Sequence, residues 1–575
     1  MTDPDETIQP SLLPATRRQW FVAIILPALL LLPFINKPIH IDDAAYIAIA
    51  KHITQHPYDY YGVSLNWEGV SAPVYQWHAS PPLANIYLAC IGALFGWQEW
   101  VLHMGFLLPA ILASLGTFTL ARRLCKRPLI AVAATCCTPA FVVSGTTLML
   151  DMWLLAFILL SIASWIEGMQ THNLRWLAFA ALCAGLAAWS KYFGIVLIPL
   201  LAGYTLIFNK RPTICLLFLL IPIAMIAVEQ VYCYQHYGRS LFGNVSDVVT
   251  EDRPDRPLWL WLMVAFSFCG GSTFSVMQIG AVLWNGRLKV LGASLVAAMS
   301  CIFYYLNANG IRAQTLGFDL PLVSLIFYAI FMMGGTQILS LCTTDVRNRR
   351  DPESWLLTFW VFGTFLFAAF VTWSVNVRSL LPLVPPMAIL AARRIDTITF
   401  DNPKRANRRI ASSLVLSALV SLGVARSDMT WAQTVRDAAT RYAQIAKSHP
   451  GATYFQGHWG FQHYMQDAGI APFDFETTEL KPGDMIVYAQ NNANVRPLPD
   501  DYIAERRSET VAINRRIATM STELGAGFYS DLWGPLPFAL GEKMPPDTYF
   551  IDVISKPGKP FALQNPGNGR SPLLR

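Results

Sequence analysis

Long apolar runs dominate this sequence, and nothing constrains its fold more. Crossing a bilayer as a helix takes about 20 mostly apolar residues. Runs of that kind lie near 19–35, 98–121, 128–146, 152–170, 174–190, 193–208, 212–230, 258–284, 290–306, 320–342, 354–374, 379–392 and 410–425. They predict a polytopic α-helical membrane protein with about thirteen transmembrane helices. Only 14% of the 575 residues are charged and 54% are hydrophobic, against about a quarter charged in a soluble chain. That shortfall excludes a wholly soluble enzyme and a disordered chain. The net charge of +6 is too small for a nucleic-acid surface, so no nucleic-acid partner is expected.

Lys and Arg in the loops orient the spans, because they collect on the cytoplasmic side. With the N-terminus in the cytoplasm, clusters such as Arg17-Arg18, Arg122-Arg123, Lys126-Arg127, Lys210-Arg211, Arg347, Arg349-Arg350, Arg393-Arg394 and Arg408-Arg409 fall inside. The outside holds only the scattered Lys37, Lys51, Lys191, Arg239, Arg253, Arg256, Arg312 and Arg378. The first run ends in Asn36-Lys37-Pro38 without a small-residue cleavage site, as in a retained signal anchor. Pro81 to Phe95 is too short and broken to span and is expected as a helix lying on the outer surface.

Two outer loops stand out: 36–97, with Tyr58, Tyr60, Tyr61, Trp67, Tyr75 and Trp77, and 231–257, with Tyr232, Tyr234, His236, Tyr237 and the run Glu251 to Arg256. Loops this long are usually functional or disordered, and the aromatics argue against disorder. These expectations divide the chain into a membrane domain, 1–425, and an outer soluble α+β domain, 426–575, where composition becomes ordinary. Within the latter, 429–447 reads as an amphipathic helix, and Asp484–Ala489 and Thr548–Ile554 as short buried strands. The tail after Lys556 reads as loose. The ten cysteines all precede residue 343 and lie mostly in apolar runs without a CxxC pair, so no disulfide framework is expected.

Ionisable groups at a membrane edge are costly, which makes them the candidates for chemistry. Asp42, Asp43, His78, Asp151, Lys191 and Arg378 all fall at the predicted outer face although they are far apart in sequence. For a sugar carried on a lipid phosphate, a carboxylate could take the proton of an acceptor hydroxyl. Lys or Arg would stabilise the phosphate as its charge grows. Plainer roles stand beside these: helix N-caps for the three aspartates, a snorkelling Lys191, an interfacial Arg378, a simple loop His78. His52 and His56 share a helix face without an evident third metal ligand. His458 and His463 fit an aromatic patch with Trp459, Phe461 and Tyr464. The outer-loop tyrosines and tryptophans fit membrane anchors as well as sugar platforms.

Asp42-Asp43-Ala-Ala-Tyr46-Ile-Ala-Ile-Ala50 resembles the D-E-x-x-Y-x-x-x-A signature of the type C glycosyltransferases, in particular the protein O-mannosyltransferase and lipid A aminoarabinose transferase branch. Ser80-Pro-Pro-Leu83 is similar to the family's K-P-P-L. Leu120-Ala-Arg-Arg-Leu124, Leu148-Met-Leu-Asp151, Ser190-Lys191-Tyr192 and Arg378-Ser-Leu-Leu-Pro382-Leu-Val-Pro-Pro386 follow in family order. The resemblance covers roughly 36–395 and implies the same layout of about thirteen spans with the C-terminal domain outside. It implies Asp42 as general base or acceptor-positioning carboxylate, with Asp43 as its acidic neighbour. Asp151 would be a second acid near the acceptor or a divalent metal, which Asp42 and Asp151 would share. Lys191 and Arg378 would contact the donor phosphate, with Tyr46, Ser80 and Tyr192 in the substrate pocket. Ser80 departs from the family's lysine and removes a cation; His78 is the candidate substitute. The implied activity is transfer of a sugar from a polyprenyl-phosphate donor to an extracytoplasmic acceptor (protein, glycolipid or polysaccharide) at a bacterial inner membrane. A transporter or lipid flippase, whose polar groups would sit near the midplane on paired repeats, and a non-catalytic subunit on the same scaffold are the rival readings.

Overall fold

The computed structural model describes residues 15–78, 80–208, 214–244, 256–284, 286–309, 319–513, 515–541 and 547–561. The acidic and basic run at 251–255, Lys210, Arg211, Arg312 and the tail beyond 561 lie outside the described residues. Among those described, eight helices are long and apolar enough to cross a membrane, or up to ten if each of two bent pairs is one span. This is a multi-pass membrane protein. Among the described residues, each of the thirteen apolar runs falls mainly on helix, three of them on shorter helices, Leu174–Ser190, Tyr192–Phe208 and Val384–Thr397. Leu83–Phe95 is a separate short helix.

Local sequence explains how these helices start and bend. Thr16 and Gln19 form a capping box at Arg17–Leu31. Asp351, Asn376 and Asn402 accept from backbone N–H groups in the first turns of Pro352–Phe370, Val377–Leu380 and Pro403–Ser448, as caps should. Pro128–Cys136 and Pro139–Gly145 meet at 62°, where Pro139 offers no N–H to continue the first helix. The bend frees the Cys137 carbonyl, which accepts from the Ser417 and Ser421 hydroxyls at 2.5 and 2.8 Å. An apolar setting demands such replacement bonds. Leu258–Ser272 packs on Leu322–Gly335 through glycine: a Cβ on Gly270 would lie 2.0 Å from the Phe331 carbonyl oxygen. Asp151–Thr171 is the most enclosed span, 83% buried, while Gly286–Ala308 is only 11% buried.

Pro403–Ser448 is one continuous helix of 46 residues, about 69 Å long at 1.5 Å per residue. The expected helix at 429–447 is its last part, and the change of composition near 425 falls inside it. Beyond it lies a mixed five-stranded sheet in the order Ala471–Pro472, Thr453–Gln456, Met485–Ala489, Asp547–Ile554, Ile503–Val511. Met485–Ala489 is buried along its whole length and pairs antiparallel with Asp547–Ile554, Tyr488 opposite Phe550. The helix Trp459–Asp467 and the end of the long helix pack on this sheet through Tyr442, Phe455, Phe461 and Tyr549.

The long loop that follows the first span docks on this region. Its hairpin, Ser64–Asn66 with Ser71–Pro73, turns at Gly69, whose φ of 83° suits glycine. The Ser71 N–H donates to Asp474 at 2.8 Å, Asn66 to the Phe473 carbonyl at 3.2 Å, and Phe475 N–H to the Gly69 carbonyl at 2.9 Å. Loop and C-terminal region therefore share one end of the helical bundle.

Burial raises the Asp547 carboxyl from 3.8 to about 7, against the opposing bond from the Tyr549 hydroxyl. A folded-state pKa above the unfolded one favours the native state below the unfolded value. That contribution is lost as pH rises through the folded one. Asp547→Asn is expected to raise the thermal midpoint at about pH 8.5 relative to wild type and to leave it nearly unchanged at about pH 4. Parallel melting curves at the two pH values check this.

Candidate functional site

The short helix Asp43–Gln55 follows the first span and opens on Asp42. Asp42 occupies the N-cap position, yet its side chain makes no capping bond. Its carboxylate instead receives the Arg378 guanidinium at 2.9 Å, with 28% of the Asp42 side chain exposed. The plain capping role is therefore not the one it fills. Ile41, just before it, has φ of 47°, a left-handed conformation that a β-branched residue adopts only under constraint, at about 1–3 kcal/mol. The Tyr464 hydroxyl accepts from the Ile39 N–H at 2.8 Å, and Gly460 lies against the Ile39 carbonyl, where a Cβ would be 2.3 Å away. The C-terminal region thus holds the strained turn that aims Asp42.

Asp43 points elsewhere. It is fully buried and accepts from the Leu148 N–H at 2.9 Å, tying the helix to the turn before Asp151. Burial raises its carboxyl to about 7, with Lys37 and the Leu148 N–H opposing the shift. The two neighbouring aspartates therefore have different surroundings, one open and one closed.

Asp151 is the first residue of its helix, whose N-cap is Leu150 without a side-chain cap. Its carboxylate meets the Lys191 ammonium at 2.9 Å, the aspartate side chain 4% and the lysine 29% exposed. Lys191 ends the helix Leu174–Ser190, so acid and base each sit at the favourable end of a helix dipole. Arg378 interacts electrostatically with both Asp42 and Asp151, and Tyr46 with both carboxylates and Arg378. Two ion pairs, four sequence segments and one tyrosine therefore form a single cluster.

His78 packs edge-on to Tyr46 at 6.1 Å and beside Tyr61 at 5.4 Å. Burial pushes its imidazole down to about 4, opposed only by Asp42. That shift favours the neutral imidazole, away from the cationic role expected of His78 beside Ser80. The Ser80 carbonyl accepts from the Tyr61 hydroxyl at 2.7 Å. Tyr192 donates to Glu229 at 2.9 Å, one residue away from Lys191 but on a different partner. Asn244, from the segment 231–257, donates to the carbonyls of Tyr75 and His78 at 3.0 and 2.9 Å.

Sequence reading missed the enclosing shell. Lys37 and Asp428 form a wholly buried ion pair at 2.7 Å, and Asp428 also accepts from Thr519 and Tyr529, each at 2.8 Å. His40 lies 3.5 Å from Asp428 and packs edge-on to Trp431 and Tyr529. The Arg378 guanidinium lies 5.8 Å from the Tyr529 ring. Trp67 stacks on His458 at 4.3 Å, and His458 is lowered to about 4 by burial with Asp42 acting the other way. The aromatic patch around His458 and His463 is present, each ring packing on the next residue.

Among the described residues, no group of three His, Cys, Asp or Glu side chains is arranged to hold a metal ion. Asp42 and Asp151 each face a cation of the chain, a donor set that does not suit a shared divalent ion. His52 and His56 lie 4.7 Å apart, with Asp59 at 3.1 Å from His52, and they too lack the grouping. All ten cysteines are free.

Residues 79–234 match the family model described as dolichyl-phosphate-mannose-protein mannosyltransferase. This meets the resemblance read from the motifs, and the matched segment holds Ser80, Asp151, Lys191 and Tyr192. No curated protein matches the chain. Among solved structures, the apo state of ArnT from Cupriavidus metallidurans is 15% identical, with 87% of this chain and 96% of that chain covered and a TM-score of 0.41. The same protein bound to undecaprenyl phosphate gives 14%, 83%, 94% and 0.40. The oligosaccharyltransferase AglB from Archaeoglobus fulgidus, in complex with an inhibitory peptide and a dolichol-phosphate, gives 14%, 82%, 68% and 0.44. At these values no activity is carried over from them.

Proposed function

We propose that this chain is an integral membrane glycosyltransferase that moves a sugar from a polyprenyl-phosphate donor to a hydroxyl of an acceptor on the outer side of a bacterial inner membrane. The observation that carries the reading is the Asp42–Arg378 pair, partly open, beside the Asp151–Lys191 pair. The family match over 79–234 supports the reaction class. In this reading the Asp42 carboxylate takes the acceptor proton as the hydroxyl oxygen bonds to the anomeric carbon. The bond from that carbon to the phosphate oxygen breaks, and the lipid phosphate leaves with the electron pair. Arg378 and Lys191 offset the charge that grows on it, as preorganised cations in a poorly solvated site do well. One displacement inverts the anomeric centre. The layout of thirteen spans with residues 426–575 outside belongs to the same proposal.

The test is release of polyprenyl phosphate by detergent-purified protein given polyprenyl-phosphate sugars and a cell-envelope extract. Wild type is expected to release it with or without chelator, because both carboxylates are neutralised by cations of the chain. Arg378→Ala is expected to slow release by about 10²–10³-fold, the usual loss on removing one preorganised donor. No release by folded wild type with any donor would overturn the proposal.

A further inference from the structure

We propose that Asp531 is a positioning residue for the lipid-phosphate contact at Arg378, and that residues 527–531 of the C-terminal region set where that guanidinium stands. The inference rests on the glycosyltransferase reading for the role of Arg378 and on the contacts of Asp531 for the positioning.

Residues 371–376 join the helices Pro352–Phe370 and Val377–Leu380 and are neither helix nor strand. A segment outside helix and sheet has to find other partners for its buried N–H and C=O groups. Val375 and Val377 are both wholly buried, and the C-terminal region supplies their bonds. The Val375 N–H donates to Asp531 Oδ1 at 2.9 Å, and the Asp531 N–H donates back to the Val375 carbonyl at 2.9 Å. The Val377 N–H donates to the Phe528 carbonyl at 3.0 Å. Between these two anchors Tyr529 brings its ring to 5.8 Å from the Arg378 guanidinium. The turn that does this is tight. The Ser530 N–H donates to the Gly527 carbonyl at 3.1 Å, and a Cβ on Gly527 would lie 2.2 Å from the Ser530 carbonyl oxygen.

Asp531 is the pivot of this arrangement. Its side chain is wholly buried, and its second carboxylate oxygen meets the Arg256 guanidinium at 2.5 Å. Arg256 is itself placed against the Trp261 ring at 5.5 Å. One carboxylate therefore joins the approach to the helix Leu258–Ser272 to the chain three residues before Arg378. A misplacement of about 1 Å can cost a site of this kind about 10²-fold. The bonds that fix the Arg378 backbone thus bear on the phosphate contact although none of them touches substrate. A carboxylate kept only for the ion pair would act through Arg256. The two bonds to Val375 give Asp531 a second line of action, through Arg378.

Titration calorimetry of the full-length protein in detergent tests this, with farnesyl phosphate, a short polyprenyl phosphate, as probe and farnesol as the control without phosphate. Wild type is expected to bind the phosphate in preference to the alcohol. Asp531→Ala removes the acceptor of the Val375 N–H and is expected to weaken phosphate binding about tenfold, the scale of one bond to a charged group. Asp531→Asn also loses the ion pair with Arg256 but keeps an oxygen for Val375, and is expected to stay within about twofold of wild type. A merely structural role would move both variants alike. On an Arg378→Ala background, Asp531→Ala is expected to bring no further loss, because it acts through that guanidinium. If the alanine variant does not fold, Asp531→Glu takes its place with the same expected loss, since it keeps the charge and shifts the carboxylate by one methylene. Equal losses in the alanine and asparagine variants, wild-type affinity in Asp531→Ala or Asp531→Glu, a further loss on the Arg378→Ala background, or no preference for the phosphate in wild type would overturn the inference. The readout needs no turnover. The expected binding pattern without sugar transfer by wild type counts against the reaction, and transfer by wild type with unaltered binding in Asp531→Ala counts against the inference alone.

Discussion

Asp42→Asn is expected to abolish sugar transfer, with a loss of about 10²–10⁴-fold, the range of a positioned general base. The amide keeps the shape and can still accept a hydrogen bond from Arg378, so the local fold is expected to survive. It removes the charge and the capacity to take a proton. Asp43→Asn is the informative comparison. Asp43 is buried against the Leu148 N–H, out of reach of an acceptor, and its amide is expected to retain most of the activity. Release of polyprenyl phosphate from the two variants and wild type, at matched melting temperature, checks the pair. Equal losses in both would remove Asp42 from the role of base.

The largest effect on stability is expected at Asp428→Ala. Lys37 is wholly buried and its ammonium lies 2.7 Å from this carboxylate. Removing one partner leaves a buried charge unanswered, which costs about 3–5 kcal/mol. The Tyr529 and Thr519 hydroxyls lose their acceptor as well. A double variant, Lys37→Met with Asp428→Leu, removes both charges and is expected to recover much of the loss, since a well-packed apolar pair is often as stable as a buried ion pair. Thermal unfolding in one detergent measures the four corners of the cycle. A single variant as stable as wild type would show that the pair contributes nothing.

Much of the architecture is legible in the chain because the bilayer imposes a length on every apolar run. Bends are less so: residues 128–146 read as one span, and Pro139 alone hints at the 62° break. Composition marks a change near 425, but a helix is held by backbone bonds that continue whatever the side chains face, so Pro403–Ser448 passes through it. Asp42, Asp151, Lys191 and Arg378 stand out as charges at membrane edges, and their convergence agrees with that signal. Lys37 reads only as an outer-loop cation, and Asp428 falls just before the amphipathic helix expected at 429–447, with nothing to single it out. They are 391 positions apart, and nothing local in either segment announces the other. The strain at Ile41 is invisible for the same reason, since Tyr464 and Gly460 impose it from the far end of the chain.

The 46-residue helix has a consequence for how the molecule can be taken apart. Its length of about 69 Å is more than twice the hydrocarbon thickness of a bilayer, so a single rod is long enough to cross a membrane and still hold the sheet at its end. Asp428 rides on that rod at the level of Lys37. A cut at 425 would sever the rod, strip Lys37 of its carboxylate and release Tyr529 from Arg378. The C-terminal region thus shares its buried contacts with the helical bundle, and a cut at 425 is expected to destabilise both parts.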